Sequence, residues 1–79
     1  MSERVTLYAK PGCHLCDDAR AIIAAVCAET GTGFTEIDIT SDPALFERYG
    51  EQIPVTLVDG KQHDFWRVDP ARLRKALGA

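Results

Sequence analysis

A strand-like run, a Lys-Pro-Gly break, a long helical pattern and a second strand-like run fix the topology of this chain's first half. Arg4-Val5-Thr6-Leu7-Tyr8-Ala9 is rich in β-branched and aromatic residues and reads as a strand, which Lys10-Pro11-Gly12 breaks. From Cys13 onward the apolar positions Leu15, Ala19, Ile22, Ile23, Val26 and Cys27 recur at the spacing of one buried helical face. Thr30-Gly31-Thr32-Gly33 stops that pattern. Phe34 to Ile39 follows, with Thr35, Ile37 and Ile39 alternating against Glu36 and Asp38. A strand–helix–strand crossover makes these two strands parallel.

The second half turns the other way. Ser41-Asp42-Pro43 offers an N-cap and a proline at the first helical position, opening a short helix that Gly50 closes. Val55-Thr56-Leu57-Val58 reads as a third strand. Asp59-Gly60 is a two-residue hairpin signal leading to a fourth strand around Gln62 to Trp66, so these strands are antiparallel. Asp69-Pro70 repeats the cap-plus-proline start for a last helix through Leu73 to Leu77. The implied fold is α/β, in the order βαβ-α-ββα, with one four-stranded mixed sheet flanked by helices. With 79 residues the chain is expected to be a single domain, 1–79, near the lower size limit for folding without staples. Nearly every apolar residue named above is therefore expected in the core.

Composition removes several function classes. Nine Lys and Arg against twelve Asp and Glu give a formal net charge of -3, with no basic run. The clustered positive charge of a nucleic-acid surface is missing. The longest apolar stretch, Ala21 to Ala28, falls far short of the roughly 18–20 residues of a membrane span. Met1-Ser2-Glu3-Arg4 leads into the first strand without a secretory apolar core. A cytoplasmic protein with neither nucleic-acid nor membrane partners is expected. The three cysteines are not the even set of a secreted disulfide framework. A bridge between Cys13 and Cys16 would close too short a loop to stabilise a fold through chain entropy, so the pair reads as chemistry.

Cys13-His14-Leu15-Cys16 lies where a strand ends and a helix begins, the setting of a thioredoxin-like redox pair. Spacing i, i+3 on one helical turn brings the two sulfurs within joining distance. Cys13 faces the unpaired N–H groups and positive dipole end of the helix, and both favour the nucleophilic thiolate. Cys16 lies one turn deeper. Cys13 is expected to attack and Cys16 to resolve. Lys10, and His14 when protonated, supply cations that tune Cys13, whereas Asp17 and Asp18 oppose them. The balance puts the Cys13 thiol in the upper part of the roughly 3.5–7.5 range of activated thiols. Blander roles stay open: Lys10 as a solvated loop cation, His14 as a spacer, the acids as ordinary helix-start residues. A zinc site needs four ligands, and only Cys27, His14 and His63 remain beyond the pair. Cys27 sits about 21 Å further along the helix and reads as a packed core thiol, so no metal is expected. Ile53-Pro54, just before the third strand, is compatible with a simple strand-start proline.

Together these residues resemble the thioredoxin-fold superfamily, and most closely its small glutaredoxin-like members, over about Val5 to Leu77. Tyr8-Ala9-Lys10-Pro11-Gly12-Cys13-His14-Leu15-Cys16 is similar to a glutaredoxin active-site segment. Tyr49-Gly50, Ile53-Pro54-Val55 and Asp59-Gly60 resemble the superfamily's run into its cis-proline strand. The resemblance implies a thiol–disulfide oxidoreductase with Cys13 and Cys16 catalytic. It implies a cis Pro54 packed against the cysteine pair and an Ile53 whose main chain pairs with substrate. Its substrate would be a disulfide-containing protein or small molecule, served by a thiol or dithiol reductase system, with no tightly bound cofactor and the protein acting as a monomer. The glycine pair that glutathione-binding glutaredoxins carry after the last strand is replaced by His63-Asp64-Phe65-Trp66-Arg67-Val68-Asp69. Asp69 is placed either to receive the glutathione amine or to cap the helix at Pro70. Glutathione is accordingly expected to be a weak donor, and another low-molecular-weight thiol stays open as an alternative. The alternatives are a redox-sensing or interaction domain without turnover, or an iron–sulfur cluster held by Cys13 and an external thiol at a dimer interface. The intact Cys16 argues against the cluster.

Overall fold

The computed structural model describes residues 3–78. Strand β1 (Glu3–Ala9) passes through Lys10–Gly12 into helix α1 (His14–Thr30), and the chain returns along strand β2 (Gly33–Asp38). A 3-10 turn, Ile39–Ser41, leads to α2 (Pro43–Tyr49), followed by β3 (Val55–Val58), β4 (Lys61–Phe65) and α3 (Pro70–Ala76). The strands form one sheet in the order β2-β1-β3-β4. β1 and β2 are parallel, as the crossover requires, and β3 runs antiparallel to both β1 and β4. This is the α/β arrangement that the element order implies.

Burial follows position in the sheet. On β1, Val5, Leu7 and Ala9 are buried in alternation, whereas all four residues of β3 are buried. Tyr8, on the other face of β1, stacks on Tyr49 of α2 with ring centroids 5.0 Å apart, which sets α2 against that face. α1 packs against α3. The buried residues of α1 are Cys16, Ala19, Ile23, Val26 and Cys27, one helical stripe. Leu7, Ile23, Ile39 and Leu73 are fully enclosed, each contributing about 1.5–3 kcal/mol of apolar burial.

Local chemistry sets the boundaries. The Asp42 and Asp69 carboxylates each accept two backbone N–H groups of the helix they open, with proline at the first position. Asp59 and Gly60 take φ of 53° and 82°, and both positive values suit a type I′ hairpin turn. Arg4 grips the Asp59 carboxylate through Nε at 3.0 Å and Nη2 at 2.8 Å, and its Nη1 reaches the Leu77 carbonyl at 3.1 Å. That one side chain ties β1, the hairpin and the end of α3 together.

The structure departs from the sequence-based expectation at four places. Cys13 caps α1 instead of starting it. β2 stops at Asp38, whose carboxylate accepts from the Thr40 amide and hydroxyl and turns Ile39 out of the strand. Leu15, Ile22 and Ile37 are only half-buried, because β2 is an edge strand and the two helix residues line a groove. β4 spans Lys61–Phe65, with Thr56 opposite Asp64 but Leu57 opposite Gln62, so His63 is an extra, bulged residue. Trp66 lies beyond the strand with φ of 63°.

Candidate active site

Between β1 and α1, Gly12 takes φ of 73°, a left-handed geometry that a residue without Cβ adopts at little cost. The turn delivers Cys13 as an extended N-cap (φ -102°, ψ 110°). The cap acceptor is sulfur: Cys13 Sγ receives the Cys16 N–H at 3.1 Å. That N–H is one of the donors a helix start leaves over, so the fold supplies a hydrogen bond that favours the thiolate once the pair is reduced. The Cys13 and Cys16 Cα atoms are 5.1 Å apart and the sulfurs are joined in a disulfide. Cys13 is half-buried, while Cys16 is 0% exposed. An incoming group can reach Cys13 alone.

The charged neighbours are less symmetric than their spacing suggests. Asp17 turns its carboxylate to Arg20, 2.8 Å away. Arg20 also donates to both carboxylate oxygens of Glu36 on β2, the Nη2 contact being 2.8 Å. This guanidinium holds Glu36 below the usual carboxylate range. Of the two acids at the helix start, only Asp18 lacks an ion-pair partner among the described residues. Lys10 is exposed beside a shallow depression lined by Arg20, Glu36 and Asp38, and His14 is exposed as the first residue of α1. Both sit at the junction, yet among the described residues the hydrogen bond to Cys13 Sγ comes from the Cys16 amide. Cys27 is a free buried thiol in the last turns of α1, and burial pushes its pKa up.

The sheet register brings a second segment to the same end. Val55 pairs with Tyr8, so the antiparallel step carries Pro54 and Ile53 towards the end of β1 that feeds Cys13. The Ile53–Pro54 peptide is cis, Pro54 is fully buried and Ile53 is 8% exposed. Phe65 pairs with Val55, so Trp66 arrives there too. Its amide donates to the carbonyls of Pro54 at 2.8 Å and Gln52 at 3.3 Å. Among the described residues, the Ile53 amide and carbonyl take no backbone partner.

Beside the pair runs an open groove of about 380 Å³ lined by Leu15, Asp18, Ala19, Ile22, Trp66 and Val68, among others. That volume lies in the range of ligand sites. Neither this groove nor the turn at Trp66 is visible in the sequence, because a bulky residue at positive φ has no sequence signature. The Asp17–Arg20 pair was discoverable, since residues three apart on a helix face one another. Asp69 accepts from the Ala71 amide at 2.9 Å and the Arg72 amide at 3.3 Å, so its carboxylate is engaged as a cap. His63 and Asp64 lie at the bulge, where Arg72 pairs with Asp64 at 2.8 Å.

Comparison with known proteins gives a consistent set of relatives. The profile of the glutaredoxin-like domain (DUF836) matches residues 4–78. An uncharacterised protein of Mycobacterium tuberculosis is 34% identical over 76 residues, covering 90% of this chain and 78% of its own. The X-ray structure of protein XcR50 from X. campestris matches with a TM-score of 0.77 and 35% identity, over 94% of this chain and 95% of that one. A thioredoxin of Halobacterium salinarum, a mutant form, matches with a TM-score of 0.63 and 22% identity over 95% and 73%, a likeness of fold. Among the described residues, no helix is long and apolar enough to cross a membrane.

Proposed function

The chain belongs to the glutaredoxin-like domain family, with a thioredoxin fold, and on that premise we propose that it is a thiol–disulfide oxidoreductase working through Cys13 and Cys16. One observation carries the reading: Cys13 caps α1 with its sulfur bonded to the Cys16 N–H, while Cys16 is enclosed. In the reduced protein the Cys13 thiolate attacks one sulfur of a substrate disulfide and the other sulfur leaves as a thiolate. Cys16 then loses its proton and attacks Cys13 Sγ, closing the Cys13–Cys16 disulfide and releasing the second substrate thiol. The substrate gains two electrons and the protein loses two, which a donor restores. Lys10, and His14 when protonated, add positive charge at the junction that carries the attacking sulfur, and the Ile53 main chain, ahead of Pro54, aligns the substrate.

The donor in this reading is a dithiol reductase system. Trp66 occupies the groove wall where glutathione-binding relatives carry glycines, and the Asp69 carboxylate already holds a helix start. Glutathione and other low-molecular-weight thiols would act weakly, and no cofactor is held tightly. The protein would work as a cytoplasmic monomer on a disulfide-containing protein or small molecule. Steady-state turnover of one disulfide substrate with each donor and its reductase tests this. The expected kcat/KM is about tenfold higher with the dithiol donor. Fast, saturable turnover at low millimolar glutathione would overturn the donor assignment, and absence of turnover with both would overturn the oxidoreductase itself.

A further inference from the structure

We propose that Trp66 is a positioning residue that presents the Ile53 peptide to a polypeptide disulfide, a role that rests on the oxidoreductase reading and narrows its substrate class. Three hydrogen bonds carry the inference. The Trp66 amide forks to the carbonyls on either side of Ile53, Gln52 at 3.3 Å and Pro54 at 2.8 Å. Its indole Nε1–H donates to the Glu51 carbonyl at 3.1 Å. The carbonyls of residues 51, 52 and 54 are thus all engaged, and Ile53 keeps both its amide and its carbonyl free of backbone partners among the described residues. The Gln62 side chain steadies the segment from β4, its Nε2 donating to the Gln52 Oε1 at 3.0 Å.

The Trp66 amide makes the next ladder bond beyond the Val55–Phe65 pair, to Pro54, and φ of 63° at Trp66 then turns the chain out of the strand. The ring serves a second purpose. It meets Phe65 edge-on at 5.0 Å, stays 52% exposed and lines the groove that contains Leu15, one of the two residues between the cysteines. A polypeptide would be held twice, by main-chain bonds to Ile53 in the manner of an added strand and by a side chain in the groove. A small disulfide has neither main chain nor flanking residues, and gains nothing from the arrangement.

Single-adduct kinetics test it without requiring turnover. In a reduced Cys16→Ser protein, Cys13 attacks a disulfide, one substrate thiolate leaves, and the mixed disulfide accumulates because no second thiol resolves it. Rates would be read by mass spectrometry for a disulfide-bridged peptide and for bis(2-hydroxyethyl) disulfide. Trp66→Gly keeps the amide and suits the left-handed backbone but removes the ring and the indole donor; Trp66→Phe removes the donor alone. The peptide-to-small-disulfide rate ratio should fall about tenfold for Trp66→Gly and about threefold for Trp66→Phe. An unchanged ratio, or equal losses for both disulfides, would overturn the proposal. A second readout covers variants that fold poorly. Trp66 is the only tryptophan, so its indole N–H exchange in the unsubstituted protein reports the bond to Glu51, and exchange at the free-solvent rate would also overturn the proposal. A protein that forms the peptide adduct preferentially but does not cycle would overturn the oxidoreductase reading and leave the role of Trp66 standing. Failure to form either adduct would overturn both.

Discussion

The two halves of the sheet are built to different standards. In the first, β1 and β2 pair in parallel without interruption from Val5–Phe34 to Ala9–Asp38 beside the 17-residue helix α1, which buries five side chains and is capped by Cys13. In the second, α3 has seven residues, β4 is bulged at His63, and non-glycine residues at Asp59 and Trp66 take positive φ. Two of its aromatic rings, Phe65 and Trp66, are half exposed, and the buried His63 Nε2 and Asp64 Oδ2 make no hydrogen bond among the described residues. The reacting sulfurs sit in the regular half because attack geometry tolerates displacements of only about 0.5 Å. The irregular half frames the approach to them. Irregular backbone gives carbonyls and rings directions that a continuous ladder cannot.

The contrast can be broken most severely at the cysteines. Cys13→Ser should lower the exchange rate by about a thousandfold or more, because a hydroxyl is not ionised near neutral pH. Cys16→Ser should leave the first attack in place and trap the mixed disulfide, seen as added mass. Trapping by Cys13→Ser instead would reverse the assigned roles. Stability offers the next comparison. Ile23→Ala in α1 and Leu73→Ala in α3, both at 0% exposure, should each cost about 2–5 kcal/mol in urea unfolding. A loss below about 1 kcal/mol for Leu73→Ala would mean that the second half adds little packing. Cys27→Ala should cost about 1 kcal/mol and leave exchange intact; loss of turnover with normal folding would make Cys27 part of the mechanism.

The smallest expected effect is in acid. Hydrogen bonding to Arg4 lowers the Asp59 pKa, and hydrogen bonding to Arg20 lowers that of Glu36. Groups depressed in the folded state stabilise it above their unfolded values, about 4, and lose that contribution as pH falls through the folded ones. The melting temperature should therefore hold between about pH 7 and 5 and fall below about pH 4. Arg4→Met should flatten part of the fall through the hairpin, and Arg20→Met part through β2. Identical curves for both variants and the parent would remove these pairs as contributors, and flattening in only one variant would show which half depends on its charges.

Much of this was legible in the residues. The Asp42-Pro43 and Asp69-Pro70 starts, the Asp59-Gly60 hairpin and the α1 stripe each place strong local chemistry in agreement with the global packing. The i, i+3 cysteines at a strand–helix junction were equally plain. The end of β2 was misread because the Asp38 side chain competes for the backbone, an effect the alternation of Ile37 and Ile39 hides. The β4 bulge and the turn at Trp66 were invisible for another reason. They arise where β4 must pair with β3 and then reach α3, and no local preference of His63 or Trp66 encodes that demand.

The strand order leaves β2 and β4 with free edges, and an open edge is a template for a neighbouring molecule's sheet. β2 meets that hazard with charge: Glu36 and Asp38 stand exposed or half-exposed along it, and a second copy adding there would set like charges close together. β4 meets it with shape, since the bulge at His63 and the left-handed exit at Trp66 leave too short a straight run for another strand to follow. The same irregularity that frames the approach to Cys13 thus also guards against fibrillar stacking. A substitution that straightened β4 would threaten solubility before it touched the redox pair.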